Sequence, residues 1–444
     1  MRATVVAALP LLTGTTLLML GNTLLGILIP LELAAHGHST TAIGLVMSSF
    51  FLGFLAGAWH GKTLIARVGH IRVFAGLAAL HAAAALVHPM IGEGLAALVL
   101  LRIATGFAIA GLTTVMESWL SEISTRETRG RVFAIYLITT FASMGAGQLL
   151  LNAFPANDPQ AYMTIGALVC LSLIPVSLTR VRAPAMDGFT TLPLSALYHA
   201  SPAGFAGALG AGAVVGALFG VGPVFAQQLG LSTLEVTLFM GAAIAGSALI
   251  QLPIGRLSDR YERRYLLIGV LLAAVAVCAL LARDAGVLGT TGILLAGALL
   301  GGFLNAIYPL SLAQTLDHVD PRSFVAASSG LLLCYSVGAI AGPVATASVM
   351  DLIGPAGFPV TLASSVIMLM LFVIYRVAAR APVVESEAVA YQAAAPVAGF
   401  ANDLDPRLED SEEAMQVEQI VASFPEPANT NAEDEPVYGT GTAG

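Results

Sequence analysis

The 444 residues include only 19 Lys and Arg and 27 Asp and Glu, so 10% of the chain is charged, whereas 57% is hydrophobic and the mean hydropathy is +0.84. Soluble domains carry about 25% charged residues because their surface must be hydrated, so this composition excludes a water-soluble enzyme. It also excludes a nucleic-acid-binding protein, because so few cations cannot build a face that neutralises phosphates. The composition predicts a membrane protein whose apolar exterior faces lipid.

Twelve apolar segments follow one another along the chain, each long enough to cross a hydrocarbon core about 30 Å thick. The first is much longer than the apolar region of a secretory signal and has no convincing cleavage site, so we interpret it as a retained span. The sequence therefore predicts an all-α polytopic membrane protein with spans at residues 5–31, 41–59, 73–91, 95–119, 132–154, 162–178, 202–229, 236–253, 265–281, 288–312, 324–350 and 355–375.

The spans form two sets of six, which predict an N-terminal six-helix bundle over residues 1–180 and a C-terminal one over 202–376. A polar cytoplasmic linker, 181–201, joins them, and a tail occupies 377–444. From residue 381 onward the tail has 13 acidic residues and one basic residue, so we expect it to be largely disordered. It is either an acidic solubilising tail, the commoner use of such charge, or it binds a partner or a membrane surface through the amphipathic stretch 408–424.

Basic residues collect on one side of the predicted spans, as they do in loops that face the cytoplasm. They follow the second, fourth, sixth, eighth and tenth spans, whereas the opposite loops hold one base, Arg283. Both termini are therefore predicted to be cytoplasmic, with the chain in a bacterial inner membrane. The bases on the predicted cytoplasmic side are Lys62, Arg67, Arg72, Arg126, Arg129, Arg131, Arg180, Arg182, Arg256, Arg260, Arg263, Arg264 and Arg322.

An internal repeat relates the two sets of spans. The stretch around Gly69 recurs at residues 255–260, at an offset of 193, and the Gly-Phe pair at 106–107 recurs at 302–303, at an offset of 196. Glycines at the spacing that allows close helix packing occur in both halves. Two parallel halves around a central cavity are the arrangement of carriers that work by alternating access.

Residues 255–264 resemble the loop motif G-x-L-x-D-R-x-x-R-R of the major facilitator superfamily, and Arg102 with Gly106 resembles its R-x-x-x-G motif in the fourth span. More narrowly, the YcaD-type branch of bacterial carriers is similar over residues 10–376. The resemblance implies two pseudo-symmetric six-helix bundles and a proton-driven or facilitated carrier of a small molecule. The stretches that carry the narrower resemblance are 67–72, 117–120, Tyr136, Gln148 and 308–310.

Departures from the family patterns argue against a drug–proton antiporter. In the first-half loop, Ala66 stands at the Asp position of the motif and Lys62 at its leading Gly position. The fifth span has Gly145 and Gly147 but lacks the Gly-Pro pair of the antiporter motif, whereas a Gly-Pro pair occurs in the eleventh span at 342–343.

Arg102 is the first candidate for substrate binding or coupling, because an ionisable group inside the membrane is costly and usually functional. It lies about two turns into the fourth span and is expected to face the cavity, where it would bind an anionic substrate group or favour the charged form of a carboxylate. Thr113 extends a polar stripe on that helix; the alternative is that Arg102 snorkels to the interface. Neutral polar residues in other spans either line the cavity or make interhelical hydrogen bonds; they are Asn22, Gln148, Gln227, Asn305 and Tyr308.

Glu117, near the cytoplasmic end of the same span, has two open interpretations. It is either a proton-coupling carboxylate or a gate partner for Arg67 or Arg72, and the three bases of that loop favour the gate. Asp259 is expected to accept hydrogen bonds at the N-terminus of the fifth span near Arg131, where the helix dipole favours an anion. The remaining residues assigned to the gate are Gly69, Arg260 and Arg263.

Other signals do not carry a function. Glu32, His36 and His38 cluster after the first span, but histidines in a polar loop are more often exposed than metal-bound, so no metal site is predicted. Residues 56–63 fit a relaxed phosphate-loop pattern but follow a membrane helix instead of a strand, and hydrolase motifs are missing.

We therefore predict a monomeric secondary carrier that exports a small organic solute coupled to protons. It is predicted not to be an enzyme and to need no cofactor. The alternatives are an uncoupled facilitator or importer, and a non-transporting sensor that signals through the tail.

Overall fold

A computed structural model describes residues 2–92, 94–125, 128–155, 158–178, 193–283, 285–320 and 323–379. The predicted tail from residue 381 onward, most of the predicted linker, and Arg126, Arg180, Arg182 and Arg322 lie outside these residues. The described helices are α1 (Arg2–Ala35), α2 (Thr40–Val68), α3 (His70–Ile91), α4 (Leu95–Glu122), α5 (Arg129–Leu150), α6 (Pro159–Ser177), α7 (Leu194–Ala200), α8 (Pro202–Gln228), α9 (Thr233–Ser258), α10 (Arg263–Leu281), α11 (Ala285–Leu316), α12 (Phe324–Ile353) and α13 (Gly357–Ala379).

The twelve predicted spans are confirmed. In the described part of the chain, eleven runs of helix are long and apolar enough to cross a membrane, and the last of these, Phe324–Ala378, contains both α12 and α13. A 3₁₀ turn at Gly354–Ala356 separates these two helices. The remaining helix, α7, is too short to span and lies inside the predicted linker, where its Leu197 is fully buried.

Helix α2 is longer than predicted, because it continues from Trp59 to Val68. Hydropathy ends a span at the first polar residues, whereas backbone hydrogen bonds extend a helix into water equally well. Lys62 and Arg67 of the predicted loop therefore lie on α2. The helix ends at Gly69, whose φ of 87° lies in the left-handed region that favours glycine and whose N–H donates to the Ile65 carbonyl at 2.8 Å.

The chain builds the same packing twice. In the first half, α1 packs on α5 and α6, α2 packs on α4, and α3 packs on α4 and α6. In the second half, α8 packs on α12 and α13, α9 packs on α11, and α10 packs on α11 and α13. The predicted two pseudo-symmetric six-helix bundles are thus present, and the face between them is formed by α2 against α12, α5 against α9, and α1 and α2 against α8.

Backbone contacts fix the register between the two halves. A Cβ added to Gly53 of α2 would lie 1.9 Å from the carbonyl oxygen of Ile103 in α4. A Cβ added to Gly246 of α9 would lie 1.8 Å from the carbonyl oxygen of Ala298 in α11. The two contacts are equivalent, so α2 corresponds to α9 at an offset of 193 and α4 corresponds to α11 at an offset of 195.

A second pair of contacts gives the same register. The Cβ of an alanine at Gly106 would lie 1.9 Å from the Phe50 carbonyl oxygen, and one at Gly301 would lie 2.2 Å from the Ala243 carbonyl oxygen. Gly106 therefore corresponds to Gly301, and the predicted equivalence with Gly302 at an offset of 196 is wrong by one residue. Adjacent glycines made the dipeptide match ambiguous, and only the helix contact distinguishes them.

The remaining helix pairs that can be compared have the same offsets of 193 and 195. Helices α3 and α10 begin 193 residues apart, at residues 70 and 263. Gly147 of α5 approaches the Leu20 carbonyl oxygen of α1, and Gly342 of α12 approaches the Ala213 carbonyl oxygen of α8. Helix α1 thus corresponds to α8 at an offset of 193, and α5 corresponds to α12 at an offset of 195.

Candidate functional site

A cavity of about 80 Å³ lies between the two halves. Helices α1, α2, α4 and α5 line it from the first half, and α8 and α12 line it from the second. Three of the candidates predicted from the sequence, Asn22, Arg102 and Gln148, are brought together in its wall. The other lining residues are Thr23, Gly26, Met47, Phe50, Phe51, Met144, Val215, Phe219, Gly220 and Tyr335.

Arg102 is the buried cation of this cavity. Its side chain is 3% exposed, and its Nε and Nη1 atoms have no hydrogen-bond partner among the described residues. Its Cζ atom lies 4.6 Å from the ring centroid of Phe50, so the ring face supplies part of the missing stabilisation. A buried guanidinium with free donors is costly unless an acceptor reaches it.

The cavity also offers unused acceptors and a hydroxyl group. Within the described residues, Oδ1 of Asn22, Oε1 of Gln148 and the hydroxyl of Tyr335 have no hydrogen-bond partner. Asn22 and Gln148 come from the same half as Arg102, whereas Tyr335 comes from the opposite half. A solute in this cavity can therefore touch both halves at once, which is the condition for coupling its binding to their relative movement.

The structure places the remaining substrate candidates away from the cavity wall. Thr113 and Asn305 are buried and donate to carbonyl oxygens of their own helices, at 3.0 Å and 2.9 Å. Tyr308 lies behind the wall, with its ring edge-to-face against Tyr335 at a centroid distance of 5.2 Å. Gln227 lines a separate cavity near the junction of α8 and α9.

The two halves are joined at the end of the bundle where α2 begins and α12 ends, which we call the closed end. The Asp351 carboxylate of α12 accepts the backbone N–H groups of Thr40 and Thr41 at 2.8 Å each. These amides are at the N-terminus of α2, where the helix dipole favours an anion. One half therefore caps a helix of the other.

Two further hydrogen bonds join the halves at the closed end. Asn152, after α5, donates to the hydroxyl of Thr237 in α9 at 2.7 Å. Gln228, at the end of α8, donates to the hydroxyl of Thr40 at 3.3 Å. The sequence analysis singled out none of these residues, because contacts between distant helices leave no local pattern.

The predicted gate residues lie at the opposite end. Glu117 is buried and accepts a hydrogen bond from the hydroxyl of Tyr136 at 3.1 Å, whereas Arg67 and Arg72 are exposed. The gate hypothesis concerns the conformation in which that end is shut, so it stays a prediction.

The loop motif of the second half is also at this end. Arg263 is buried and donates to Asp317 at 2.6 Å and to the Ala313 carbonyl at 2.7 Å, which ties α10 to α11 inside one half. The other motif residues, Arg131, Asp259 and Arg260, are exposed, and the predicted contact of Asp259 with α5 stays a prediction.

The most informative residues that the sequence analysis missed are His81 and His88 of α3. Both are buried, and both interact electrostatically with Arg102. Their seven-residue spacing puts them on one helix face. The rule that singled out Arg102, an ionisable group inside a span, applies equally to these two histidines.

A membrane bundle of two repeated halves with a polar cavity between them defines the class of membrane carriers. The family model of the Major Facilitator Superfamily matches residues 11–247 and 204–401. The chain therefore belongs to the major facilitator superfamily and is a multi-pass membrane protein.

Its relatives include YcaD-type transporters, as the sequence resemblance predicted. An uncharacterized MFS-type transporter of Enterobacter sp. (strain 638) is 30% identical over 344 residues, which cover 77% of this chain and 88% of that protein. The uncharacterized MFS-type transporter YcaD of Escherichia coli (strain SE11) is 29% identical over 343 residues, with the same coverage.

Solved structures with the same fold include the nucleoside transporter NupG, with a TM-score of 0.70, 15% identity and coverage of 83% of this chain and 98% of that one. A bacterial homologue of the human lysosomal transporter Spinster, in an inward-facing and occupied conformation, has a TM-score of 0.66 and 17% identity, and the match covers 87% of this chain and 98% of that one. At these identities the likeness concerns the fold.

Proposed function

We propose that the protein is a secondary active carrier that binds a small organic anion at Arg102 and moves it by alternating access, coupled to protons. The observation that carries the proposal is the buried Arg102 guanidinium, with free donors, in a cavity lined by both halves. An anionic group there would satisfy those donors, and charge-assisted hydrogen bonds are the strong ones.

The contacts between helices support rocking of the two halves as rigid bodies. Inside each half, glycines let backbones touch, as at Gly53 and Gly246, so these helices cannot separate without losing dense packing. At the closed end, hydrogen bonds of Asp351 and Asn152 join the halves. Such polar contacts can be exchanged for water at little cost. The interface also contains the close approach of Gly44 in α2 to the Pro343 carbonyl oxygen in α12. Opening at this interface would separate that contact together with the hydrogen bonds.

The orientation extends this proposal. The distribution of basic residues supports cytoplasmic termini, and with that orientation the closed end faces the periplasm of a bacterial inner membrane. Export remains the expected direction. The carrier acts as a monomer, because each chain has its own cavity between its two halves.

A thermal-shift screen of the purified full-length protein tests the anion site. The panel contains organic carboxylates and phosphates, neutral nucleosides and organic cations. We expect an anion to raise the melting temperature, because a ligand at 100 times its Kd stabilises a protein by about 2.7 kcal/mol. Arg102→Ala should abolish the shift.

The matched control is Arg256→Ala, which removes an exposed arginine of α9 and should leave the shift intact. An anion that binds Arg102→Ala as well as it binds the original protein would overturn the proposed site. Deletion of residues 381–444 then separates carrier from sensor: a carrier reconstituted in liposomes still moves the bound anion, whereas a sensor does not. Imposing a pH gradient in either direction across these liposomes gives the direction of coupled transport.

A further inference from the structure

A further cavity lies inside the first half, near the closed end. It has a volume of about 240 Å³ and is lined by the polar residues Glu32, His36, His88 and Tyr162 together with apolar residues of α1, α3 and α4. We call it the inner chamber. It is large enough for several water molecules, each of which occupies about 30 Å³. His36 is exposed, so the chamber borders the water at the closed end.

His88 has a defined tautomer in the chamber wall. Its Nδ1 atom lies 2.7 Å from the Ala84 carbonyl oxygen. A carbonyl can only accept, so Nδ1 carries the hydrogen and Nε2 carries a lone pair. Nε2 is buried and has no hydrogen-bond partner among the described residues. His88 therefore presents an unused proton acceptor.

The chamber also contains a fixed carboxylate. The ring of His88 stacks on that of Tyr162 at a centroid distance of 5.7 Å and an interplanar angle of 14°. The hydroxyl of Tyr162 donates to Oε2 of Glu32. Because a phenol donates here, Glu32 is held as the acceptor, and a negative charge on it favours a positive charge on the nearby imidazole.

The charge of Arg102 links the inner chamber to the central cavity. Arg102 lines the central cavity and interacts electrostatically with His81, His88 and Tyr162. The described ionisable groups that surround His88 are therefore Arg102 on α4, His81 on its own helix, Tyr162 on α6, and Glu32 and His36 at the end of α1. Arg102 opposes a second positive charge at His88, whereas Glu32 favours one.

The second half shows that the fold does not need this cluster. At the offsets fixed by the backbone contacts, an ionisable side chain is missing from each of the second-half positions that correspond to Glu32, His81, His88 and Arg102. Gly297, at the position of Arg102, has the ring of Phe239 in the space where its side chain would be, because an added Cβ would lie 2.6 Å from that ring. The positions that correspond to Glu32, His81, His88 and Arg102 are Phe225, Ala274, Leu281 and Gly297.

We propose that the inner chamber is the proton-binding site of the carrier, with Nε2 of His88 as the acceptor, and that proton and anion bind cooperatively. The inference rests on the proposed anion site. A hydronium ion in the chamber water gives its proton to the Nε2 lone pair, which forms an N–H bond and an imidazolium and leaves a water molecule. The proton leaves by the reverse step. No electron transfer and no other reactant is required.

Charge explains the cooperativity. Burial is the main obstacle to a positive charge at His88, and an empty Arg102 adds repulsion to it. An anion bound to Arg102 cancels this second contribution. By reciprocity, a proton at His88 strengthens anion binding by the same factor. Proton and anion then travel together, so an inward proton gradient opposes export. The proposed export therefore occurs only when the outward anion gradient exceeds the inward proton gradient.

Proton titration of purified full-length variants tests the inference without a ligand. Arg102→Gln imitates the neutralised arginine. We expect it to bind more protons per molecule than the original protein as the pH falls from about 8 to about 5, because one of the two obstacles at His88 is removed. Adding His88→Gln to Arg102→Gln should remove this gain.

His60→Gln is the matched control. Nδ1 of His60 also bonds a carbonyl of its own helix, at 2.9 Å, but the side chain is exposed. Combined with Arg102→Gln, it should leave the gain intact. Melting temperatures of all variants show whether each is folded.

Two results would overturn the proposal: no gain in folded Arg102→Gln, or a gain that His81→Gln removes and His88→Gln does not. If His88→Gln does not fold, the titration is repeated with His88→Asn and with Tyr162→Phe. Loss of the gain in His88→Asn and a smaller gain in Tyr162→Phe would support the proposal. This titration is independent of the ligand screen. If no anion stabilises the protein but the titration gives the expected gain, the anion assignment is wrong. If an anion binds at Arg102 but the titration shows no gain, the proton site is wrong.

Discussion

The two halves of the molecule share their packing and differ in their chemistry. Glu117 of α4 accepts a hydrogen bond from Tyr136 of α5, whereas the corresponding positions in the second half, Leu312 and Leu331, are both buried leucines. Because both versions build the same bundle, the polar version is not a requirement of folding.

The difference is most direct at the closed end. Glu32 and Tyr162 form a polar pair in the first half, whereas Phe225, at the position of Glu32, stacks on Phe358 at 4.4 Å and 15° in the second. Burying a polar pair costs more than stacking two aromatic rings. The comparison teaches that repeated features, the glycine contacts, belong to the fold, and we infer that the unrepeated polar features serve the proposed transport.

The largest expected effect concerns the shared packing. Gly106→Ala and Gly301→Ala should each destabilise the protein by about 1–3 kcal/mol or more, because the new Cβ would overlap a backbone carbonyl oxygen. The measurement is the thermal unfolding of the purified variants. Gly76→Ala and Gly269→Ala are controls at corresponding positions with no neighbour within 4 Å, and they should be neutral or stabilising. A strong effect in only one half would contradict equivalent packing.

Glu117→Gln tests an unrepeated feature. Hydrogen bonds to charged groups are worth about 1.5–3 kcal/mol, so we expect transport in liposomes to fall by about tenfold or more. Glu122→Gln, at an exposed position of the same helix, should have no effect. Unchanged transport with an unchanged pH dependence in Glu117→Gln would exclude both the gate and the proton-coupling interpretations.

Asp351→Asn weakens the contact between the halves. Loss of a helix cap costs about 0.5–2 kcal/mol, and exposure of Asp351 keeps the effect near the lower limit. We expect the closed end to open more often, so that a cysteine at Ser348, beside Thr41, reacts about twofold faster with a polar maleimide. Asp158→Asn is the control, because Asp158 caps α6 within its own half; an equal acceleration there would argue against a contact specific to the interface.

The smallest effect is expected for Phe50→Leu, which removes the ring below Arg102. The counterpart of Phe50 in the second half is Ala243, so this cation–π contact is unrepeated. Its loss should weaken anion binding by about 0.5–1 kcal/mol, or two- to fivefold, in a titration of the bound anion. Phe219→Leu changes the cavity wall without touching the cation, and an equal loss there would show that volume alone matters.

The sequence was sufficient for the number of spans and for the presence of Arg102 inside the fourth one. Span length follows from bilayer thickness, and an intramembrane charge is visible in one dimension. The sequence could not determine that Thr113 and Asn305 bond to their own helices, because the direction of a side chain depends on the neighbouring helix. It could not find Asp351, because a carboxylate near a span end resembles any loop residue.

The histidines were a different kind of omission. His81 and His88 are recognisable as ionisable residues in a span, but a hydropathy average hides them among alanines and leucines. Their relation to Arg102 requires the packing of α3 on α4, and their significance requires the second half for comparison. The site was therefore predictable residue by residue, but not as a cluster.

The bond between Asp351 and the start of α2 has a consequence for how such proteins diverge. The carboxylate binds backbone amides, which every residue except proline supplies. The backbone part of this contact survives any change of side chain at positions 40 and 41 except to proline, while the hydroxyl groups of Thr40 and Thr41 add hydrogen bonds to the same carboxylate. Methods that infer contacts from paired substitutions would therefore detect only the side-chain part of a contact that joins residues 311 positions apart. Thr41→Pro, which deletes one backbone donor, is the substitution that such a lineage would avoid.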